Sequence, residues 1–302
     1  MRSRLEDGFK VGHWTDEPAR TGCTVVLPPQ GNVCSCDIRG SSPSSRELAL
    51  LHTNRKLTEV HAILLTGGSA FGLAAADGVV SWLEQRGTGY QTPRGPVPIV
   101  PAAVIFDLGP GDAAVRPGAE QGRAACDASS EDFDTGPVGA GTGATVGKWA
   151  GLEHSVRGGL GAATVSDADA TVSALAVVNS VGDVLAEDGE VLAGTRAPAP
   201  SYRPALPPDD AIPTSTVLAI VATRANLGKR STRWLAARGA DGITTTIRPA
   251  HTRYDGDVVF AVAAPASGST GDEPSPTDLD VLGYLATRAV AGAVRNSVSP
   301  PT

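Results

Sequence analysis

Cysteine is scarce in this sequence. Its 302 residues include four cysteines, Cys23, Cys34, Cys36 and Cys126, which are too few for the disulfide framework of a small secreted domain. The closely spaced Cys34 and Cys36 have no second pair of ligands at the spacing that a zinc site needs. We therefore expect buried free thiols and no zinc site.

Excess positive charge and long apolar runs are also lacking. The formal net charge is -7 at pH 7, the pI is near 5.2, and the basic residues are scattered. Because proteins that bind nucleic acid or anionic membranes need a basic face, we expect neither partner. The N-terminal residues contain no apolar signal segment and no stretch approaches the length of a membrane span, so we expect a soluble cytoplasmic protein.

Apolar residues make up 41% of the chain, which allows a substantial core in one large domain or two. Aliphatic runs predict buried strands, and apolar residues at helical spacing predict helices between them. The predicted strands are 24–27, 60–65, 172–179, 244–247, 258–263 and one that begins at Thr216. The predicted helices are 70–84, 116–127, 229–237 and a last helix capped by Thr277 with Asp280. This mixed α/β order predicts two sheets covered by helices.

Three glycine-rich patterns invite a nucleophile or phosphate site, and none fits. Residues 67–72 (GGSAFG) resemble the Gly-x-Ser-x-Gly nucleophile elbow but are one residue too long. The P-loop pattern that would end at Gly147-Lys148 has Thr142 where its first glycine must stand. The glycines at 139, 141 and 143 have the wrong third spacing for a dinucleotide fingerprint. Neither a phosphate nor a dinucleotide site is supported.

A proline-rich segment ends where an aliphatic run begins. Residues 195–213 contain too many prolines and too few apolar side chains for a helix or strand, which predicts an exposed connector. Thr216 begins the aliphatic run, and threonine is a good strand starter. Alternatively, the precursor is cut there and Thr216 becomes a new N-terminus. An N-terminal threonine carries its own base, because its α-amine titrates near neutrality, whereas the five histidines of the chain form no recognisable triad.

Four further residues are candidates for catalysis, each with an ordinary structural alternative. Lys148 follows a glycine-rich apolar run, where it is either a solvated loop lysine or a desolvated point charge beside a nucleophile. Asn179 ends an aliphatic strand, either as a turn residue or as an amide donor to an oxyanion. Asp255 and Asp257 form either a hairpin turn or a pair of carboxylates that share a proton and orient an amine. His251 has no partner at ligand spacing and is assigned a structural role.

These residues belong to stretches that resemble one known family over nearly the whole chain. The chain resembles the L-aminopeptidase/D-esterase and β-aminopeptidase family of self-processing N-terminal-nucleophile hydrolases, which includes the nylon oligomer (6-aminohexanoate oligomer) hydrolase. The matching stretches are 11–15 (VGHWT), 21–25 (TGCTV), 39–40, 46–48 (REL), 65–73 (LTGGSAFGL), 97–102 (VPIVPA), 138–148 (VGAGTGATVGK), 178–179 and 248–257 (RPAHTRYDGD).

The resemblance implies a four-layer αββα sandwich of the N-terminal-nucleophile type. Residues 1–302 would form a single hydrolase domain that cuts itself between Ser215 and Thr216 into an α chain, 1–215, and a β chain, 216–302. Counting back from the family's Val-Ala-Thr run, here 221–223, assigns the nucleophile to Thr216. The family commonly has Asn or Gly before the nucleophile and often Thr after it, whereas Ser215 and Val217 stand here.

The resemblance also assigns roles to the other four candidates. Lys148 corresponds to the lysine that contacts the nucleophile in the nylon-hydrolase-like branch, and Asn179 to the oxyanion asparagine. Asp255 and Asp257 correspond to the acidic pair that holds the threonine. The β-aminopeptidases carry a tyrosine where this sequence has Gly147-Lys148, so the resemblance favours the lysine-bearing branch.

The leading hypothesis is therefore an autoprocessed amide hydrolase that acts through an acyl-enzyme on small peptides or amide oligomers. No metal or organic cofactor is implied, and the resemblance implies a homotetramer of αβ units. One alternative is an acyltransferase of the ornithine acetyltransferase type, which would pass the acyl group to an amine faster than to water. Another is a binding protein without activity, against which the presence of Thr216, Asn179 and both aspartates argues.

Overall fold

A computed structural model of the protein describes residues 2–168, 170–198, 215–265 and 272–298. Most of the predicted connector, residues 199–213, lies outside the described residues, as does residue 214. The α-helices are α1 (Ala75–Glu84), α2 (Ala119–Asp127), α3 (Lys229–Thr246) and α4 (Pro276–Asn296). The short 3-10 helices are Leu48–Leu51, Ser69–Ala74, Gly139–Gly141 and Leu152–His154.

Nineteen strands are described. They are β1 (Arg2–Ser3), β2 (Lys10–Asp16), β3 (Thr21–Leu27), β4 (Val33–Ile38), β5 (Ser45–Arg46), β6 (Ile63–Thr66), β7 (Tyr90–Thr92), β8 (Gly95–Val97), β9 (Ala102–Val104), β10 (Phe133–Asp134), β11 (Thr145–Val146), β12 (Val156–Arg157), β13 (Gly159–Asp167), β14 (Ala170–Asn179), β15 (Asp183–Leu185), β16 (Val191–Ala193), β17 (Thr216–Thr223), β18 (Ile247–Arg248) and β19 (Val258–Ala263).

Two five-stranded sheets face each other across the main core. The first sheet has the order β13-β14-β17-β19-β4, and the second has the order β2-β3-β6-β9-β5. Leu218, Ile220 and Phe260 of the first sheet share one buried cluster with Val26 and Ile63 of the second. Burial of this apolar surface is the main favourable contribution to holding the two sheets together.

Helices cover the outer face of each sheet. The buried cluster outside the first sheet includes Leu235 of α3 and Val290 of α4. The cluster outside the second sheet includes Val79 of α1 and Cys126 of α2. The layers therefore run helix, sheet, sheet, helix, which confirms the expected αββα sandwich. All four cysteines are buried and free, as expected.

Strand β17 is buried on both faces. Its odd-numbered residues, such as Val217 and Val221, contact the layer of α3 and α4, and Leu218 and Ile220 contact the opposite sheet. It pairs antiparallel with β14 and parallel with β19. A continuous aliphatic run is what such a doubly covered strand requires.

The predicted strand 244–247 is largely helical in the structure. Helix α3 continues to Thr246, and only Ile247 and Arg248 form the short strand β18. The hydroxyl of Thr246 donates to the carbonyl of Gly242 at 2.8 Å, which satisfies a polar group in the last helical turn. The β-branched composition of the segment predicted a strand, but tertiary packing of α3 against α4 determined its conformation.

The last helix begins earlier than predicted. Ser275 caps α4, because its hydroxyl accepts the backbone N–H of Asp278 at 3.2 Å. Pro276 follows at the first helical position, where its missing N–H costs no hydrogen bond. Within the residues that the structure describes, no helix combines the length and apolar character needed to cross a membrane.

Truncation of Phe260 tests the packing between the sheets. Phe260 is 0% exposed, so Phe260→Ala should lower the free energy of unfolding by about 3–5 kcal/mol. Tyr284→Ala is the control, because Tyr284 on α4 is 63% exposed, and it should change stability by less than about 0.5 kcal/mol. The free energy of unfolding of both variants is measured by denaturant unfolding. Each variant also contains Thr216→Ala, so that the predicted self-cleavage cannot affect the comparison. Equal losses would contradict the described core.

Candidate active site

The candidate site lies where three strands of the first sheet meet. Strand β14 ends at Asn179, which is paired directly with Thr216 at the start of β17. Strand β19 begins at Val258, so the preceding Asp257 lies beside the start of β17. The structure thus brings together segments that are far apart in the sequence. Lys148 joins them because its backbone N–H donates to the carbonyl of Val181, just beyond β14, at 2.8 Å.

Thr216 lies against the carbonyl group of the residue before it. Thr216 is 6% exposed, and its Oγ1 donates to the carbonyl oxygen of Ser215 at 2.5 Å. The same oxygen accepts the backbone N–H of Gly256 at 3.0 Å. Two donors therefore converge on the carbonyl group of the predicted cleavage site. A charge developing on that oxygen would be stabilised by a donor already in position.

Gly256 is packed too tightly to carry a side chain. A Cβ atom at this position would lie 2.7 Å from the carbonyl oxygen of Ser42 and 3.0 Å from Thr216 Oγ1. The absence of a side chain allows the backbone of 255–257 to approach Thr216 closely.

Lys148 is a buried cation with several acceptors. It is 2% exposed, and its Nζ donates to the backbone carbonyl of Asn179 at 2.9 Å and to Asn179 Oδ1 at 2.8 Å. Its Nζ also lies 3.5 Å from Ser215 Oγ. Burial lowers the pKa of Lys148 to about 7, although the charge of Asp255 acts to raise it. The neutral amine is therefore well populated near neutral pH and can accept a proton.

Asn179 connects Lys148 to the surrounding backbone. Its Oδ1 also accepts the backbone N–H of Thr145 at 3.0 Å, and its Nδ2 donates to the carbonyl of Phe106 at 3.2 Å. The side chain is fully buried. These contacts hold the amide beside Lys148, whereas the backbone donor at the Ser215 carbonyl is the Gly256 N–H. The oxyanion role of Asn179 stays a prediction.

The two aspartates have different partners. Asp257 Oδ1 accepts the backbone N–H of Val217 at 2.6 Å, which ties it to the residue after Thr216. Asp255 Oδ2 accepts the N–H and hydroxyl of Thr252 at 2.8 and 2.7 Å. Burial and the neighbouring charge of Asp257 raise the pKa of Asp255 to about 6. Both carboxyl groups are almost completely buried, so their charges act through a medium of low polarity.

His251 belongs to this group, although sequence reasoning assigned it a structural role. Its Nδ1 lies 2.7 Å from Asp257 Oδ2. Burial acts to lower the pKa of His251, but the hydrogen bond to Asp257 and the charge of that carboxylate raise it. The spacing of a histidine six residues before an aspartate gave no signal of this contact. The only hint was that both residues lie in the same stretch, 248–257, of the family resemblance.

A cavity of about 560 Å³ opens beside the site. Lys148, Thr145 and Phe106 line it, and all three also contact Asn179. A second cavity of similar size, about 550 Å³, lies at the other end of β17 near Thr223 and includes none of the predicted site residues. Of these two cavities, the first is the one that adjoins the candidate site. Within the described residues, no three His, Cys, Asp or Glu side chains form a group that could hold a metal ion.

The layers and the position of Thr216 define a class of fold. A four-layer αββα sandwich with a hydroxyl residue at the start of a central strand is characteristic of N-terminal-nucleophile hydrolase folds. A solved structure of this class, the L-aminopeptidase D-Ala-esterase/amidase from Ochrobactrum anthropi, described as a variant of the Ntn hydrolase fold, has a TM-score of 0.72. It is 19% identical, and the match covers 96% of this chain and 84% of that one.

The chain belongs to peptidase family S58, whose family model matches residues 7–300. It is 40% identical to an uncharacterized aminopeptidase of Mycobacterium bovis (strain ATCC BAA-935 / AF2122/97), over 95% of this chain and 88% of that protein. It is 30% identical to a 6-aminohexanoate-oligomer endohydrolase of Kocuria sp. (strain KY2), over 95% of this chain and 83% of that protein. The protein is therefore an enzyme of the peptidase and amidohydrolase class, and the family resemblance found in the sequence is confirmed.

The burial of Lys148 predicts a specific dependence of stability on pH. The unfolded chain holds a proton on Lys148 up to about pH 10.5, whereas the folded chain releases it near pH 7. Between these values the unfolded state binds more protons, so the free energy of unfolding contributed by Lys148 rises with pH, by up to about 1.4 kcal/mol per unit. Lys148→Met should remove this rise.

The measurement compares Thr216→Ala with the double variant Thr216→Ala/Lys148→Met by denaturant unfolding at pH 7.5, 8.5 and 9.5. The difference in stability between the two chains should change steadily in favour of the chain that keeps Lys148. Asp255 acts in the opposite direction but below this range, because its folded pKa of about 6 lies above its ordinary 3.8. A difference that is constant with pH would show that Lys148 is not desolvated.

Proposed function

We propose that this chain is an autoprocessed N-terminal-threonine amide hydrolase that cuts small peptides or amide oligomers through an acyl-enzyme. The observation that carries the proposal is the approach of Thr216 Oγ1 to the Ser215 carbonyl, at 2.5 Å from its oxygen, within a buried group of ionisable side chains. A hydroxyl so close to its own preceding carbonyl can attack it without any large movement of the chain.

In the first reaction the chain cuts itself. Thr216 Oγ attacks the carbonyl carbon of Ser215, and neutral Lys148 provides the base that takes up the hydroxyl proton. The Gly256 N–H, already 3.0 Å from the Ser215 oxygen, stabilises the negative charge that develops there. The C–N bond then breaks as its nitrogen is protonated, which leaves an ester between Ser215 and Thr216 Oγ. Water hydrolyses this ester to a new carboxylate on Ser215 and regenerates the Thr216 hydroxyl, beside the α-amine that was freed when the C–N bond broke.

In the second reaction the exposed Thr216 acts on substrate. Its Oγ attacks the amide carbonyl, and its own α-amine takes the proton and passes it to the leaving amine. We assign Lys148, Asp255 and Asp257 to setting the charge of this amine, and Asn179 to helping stabilise the oxyanion. Water then hydrolyses the acyl-enzyme ester and regenerates the threonine hydroxyl.

Two relatives support the substrate class of the proposal. They are named an uncharacterized aminopeptidase and a 6-aminohexanoate-oligomer endohydrolase, and both names denote the hydrolysis of amide bonds. We assign to this chain the same broad class, an aminopeptidase or a nylon-oligomer hydrolase. A cytoplasmic location, expected from the lack of an apolar signal segment or membrane span, and a homotetramer of αβ units, implied by the family resemblance, stay predictions.

Replacement of the nucleophile tests the proposal directly. Mass analysis of the purified, denatured protein should show two pieces, 1–215 and 216–302. Thr216→Ala should remain one chain and lose activity by at least about 10³-fold on a panel of α-amino, β-amino and 6-aminohexanoyl amides. Thr223→Ala, at the opposite end of the same strand, is the matched control and should be cut and active. An intact wild-type chain, together with an active Thr216→Ala variant, would refute the proposal.

A second variant tests the backbone donor. In Gly256→Ala the added methyl group meets Ser42 O and Thr216 Oγ1, which should move the Gly256 N–H away from the Ser215 carbonyl. Loss of one such donor should slow self-cleavage by about 10²-fold, followed as the fraction of cut chain over time. Gly118→Ala is the control, because its methyl group would meet only the Gln121 side chain, and it should be cut at the wild-type rate. Equal rates in the two variants would exclude a role for this donor.

A further inference from the structure

The wall of the 560 Å³ cavity carries an unusual concentration of arginine. Arg20, Arg157 and Arg196 line it together with Lys148, and Glu153 is the acidic residue of the lining. Glu153 does not neutralise the arginines, because its side chain is 73% exposed and lies 3.7 Å from His154. The cavity therefore has an excess of positive charge in a protein whose net charge is negative.

Within the part of the chain that the structure describes, none of these three arginines forms an ion pair with a carboxylate. The arginines that do form such ion pairs are at other positions. Arg20 donates to the carbonyl of Pro110 at 3.3 Å, and its Nε is buried without a hydrogen-bond partner. Burial and the positive charge of Arg157 both lower the pKa of Arg20. A buried guanidinium N–H without a partner costs free energy, so the segment that carries Arg20 is not arranged for its own hydrogen bonding alone.

The arginines are connected to the candidate site through the backbone. Arg157 is paired with Thr145 in the hairpin of β11 and β12. The N–H of Thr145 donates to Asn179, and Asn179 is paired with Thr216. Arg196 is placed by its own backbone N–H, which donates to the carbonyl of His154 at 2.9 Å. A substrate whose charged group contacts these arginines could therefore extend to Thr216 and place its amide bond there.

We propose that this cavity binds a carboxylate of the substrate, so that the enzyme prefers amides that carry a free acid over neutral amides. The proposal rests on the proposed function for the identity of the reacting bond, but not for the binding itself. A planar carboxylate fits the paired N–H groups of a guanidinium, and Arg20, Arg157 and Arg196 all line the cavity. The carboxylate could stand on either side of the amide, as the acid of the leaving peptide or as an acidic side chain of the acyl part.

Two pairs of dipeptides distinguish these positions. The first pair is L-alanyl-L-alanine and L-alanyl-L-alaninamide, and the second is L-aspartyl-L-alaninamide and L-asparaginyl-L-alaninamide. In at least one pair the acid should have a kcat/KM about tenfold or more above its neutral partner, as expected for a charge-assisted hydrogen bond. Equal values within both pairs would overturn the proposal.

Variants at the mouth of the cavity identify the cause of the preference. Arg157→Gln/Arg196→Gln replaces two exposed side chains and should reduce kcat/KM for the preferred acid about tenfold more than kcat/KM for its neutral partner. Arg94→Gln is the matched control, because Arg94 is an exposed arginine outside the cavity lining. An equal reduction for acid and neutral partner, or an unchanged preference, would overturn the proposal.

Binding decides the question if no dipeptide is hydrolysed, an outcome that would count against the proposed function instead. Calorimetric titration of the wild-type protein with the same four dipeptides should then show an acid that binds about tenfold more tightly than its neutral partner. The double arginine variant should lose this preference. Equal affinities for acid and neutral partner, or a preference that survives in the variant, would refute the carboxylate site.

Discussion

Hydrogen bonding to both neighbouring strands holds the start of β17 in position, and the candidate site depends on this constraint. β14 fixes one side through the pairing of Asn179 with Thr216, and Asp257 fixes the other through the N–H of Val217. Aliphatic side chains bury both faces of the strand. The hydroxyl of Thr216 therefore has little freedom, which is what a reaction between adjacent groups of one chain requires.

Desolvation then adjusts the ionisable groups around this hydroxyl. In water an amine and a carboxyl group have pKa values several units apart, but burial brings Lys148 to about 7 and Asp255 to about 6. The two pKa values thus move towards each other, so a proton passes between an amine and a carboxyl group at a much smaller free-energy cost than in water. Lys148 and Asp255 can therefore exchange protons near neutral pH only because they are buried. His251 differs from them, because the ordinary pKa of a histidine already lies near neutrality.

Local patterns in the sequence predicted much of the fold. The aliphatic runs predicted the strands at 172–179 and 258–263, and the structure has β14 and β19 there. The change from proline-rich to aliphatic residues marked Thr216 as the start of a strand. The prediction of a strand at 244–247 was wrong for most of its length. The threonines there form the end of α3, and the hydroxyl groups of Thr245 and Thr246 donate to a carbonyl of that helix.

The contacts that depend on convergence of distant segments could not be predicted in this way. The Gly256 N–H at the Ser215 carbonyl is a backbone group and leaves no mark in composition or spacing. The bond between His251 and Asp257 depends on the conformation of the loop before β19. The arginines at 20, 157 and 196 come together only because the fold brings three separate segments to one cavity. Family resemblance identified residue positions, whereas the geometry that explains their chemistry came from the tertiary structure.

The strand order of the first sheet has a consequence for how the two pieces of a cleaved chain would stay together and refold. β17 and β19 come from the last third of the chain, yet they lie between β14 on one side and β4 on the other, both of which come from earlier residues. If the bond before Thr216 is cut, two strand pairs still join the pieces, because β17 is hydrogen-bonded to β14 and β19 to β4. The two pieces would therefore remain in one folded unit. The cut also converts folding from a reaction of one chain into an association of two. Once unfolded, the cleaved molecule would refold at a rate that depends on the concentration of both pieces. The lifetime of the active form would therefore be set by the rate at which it unfolds.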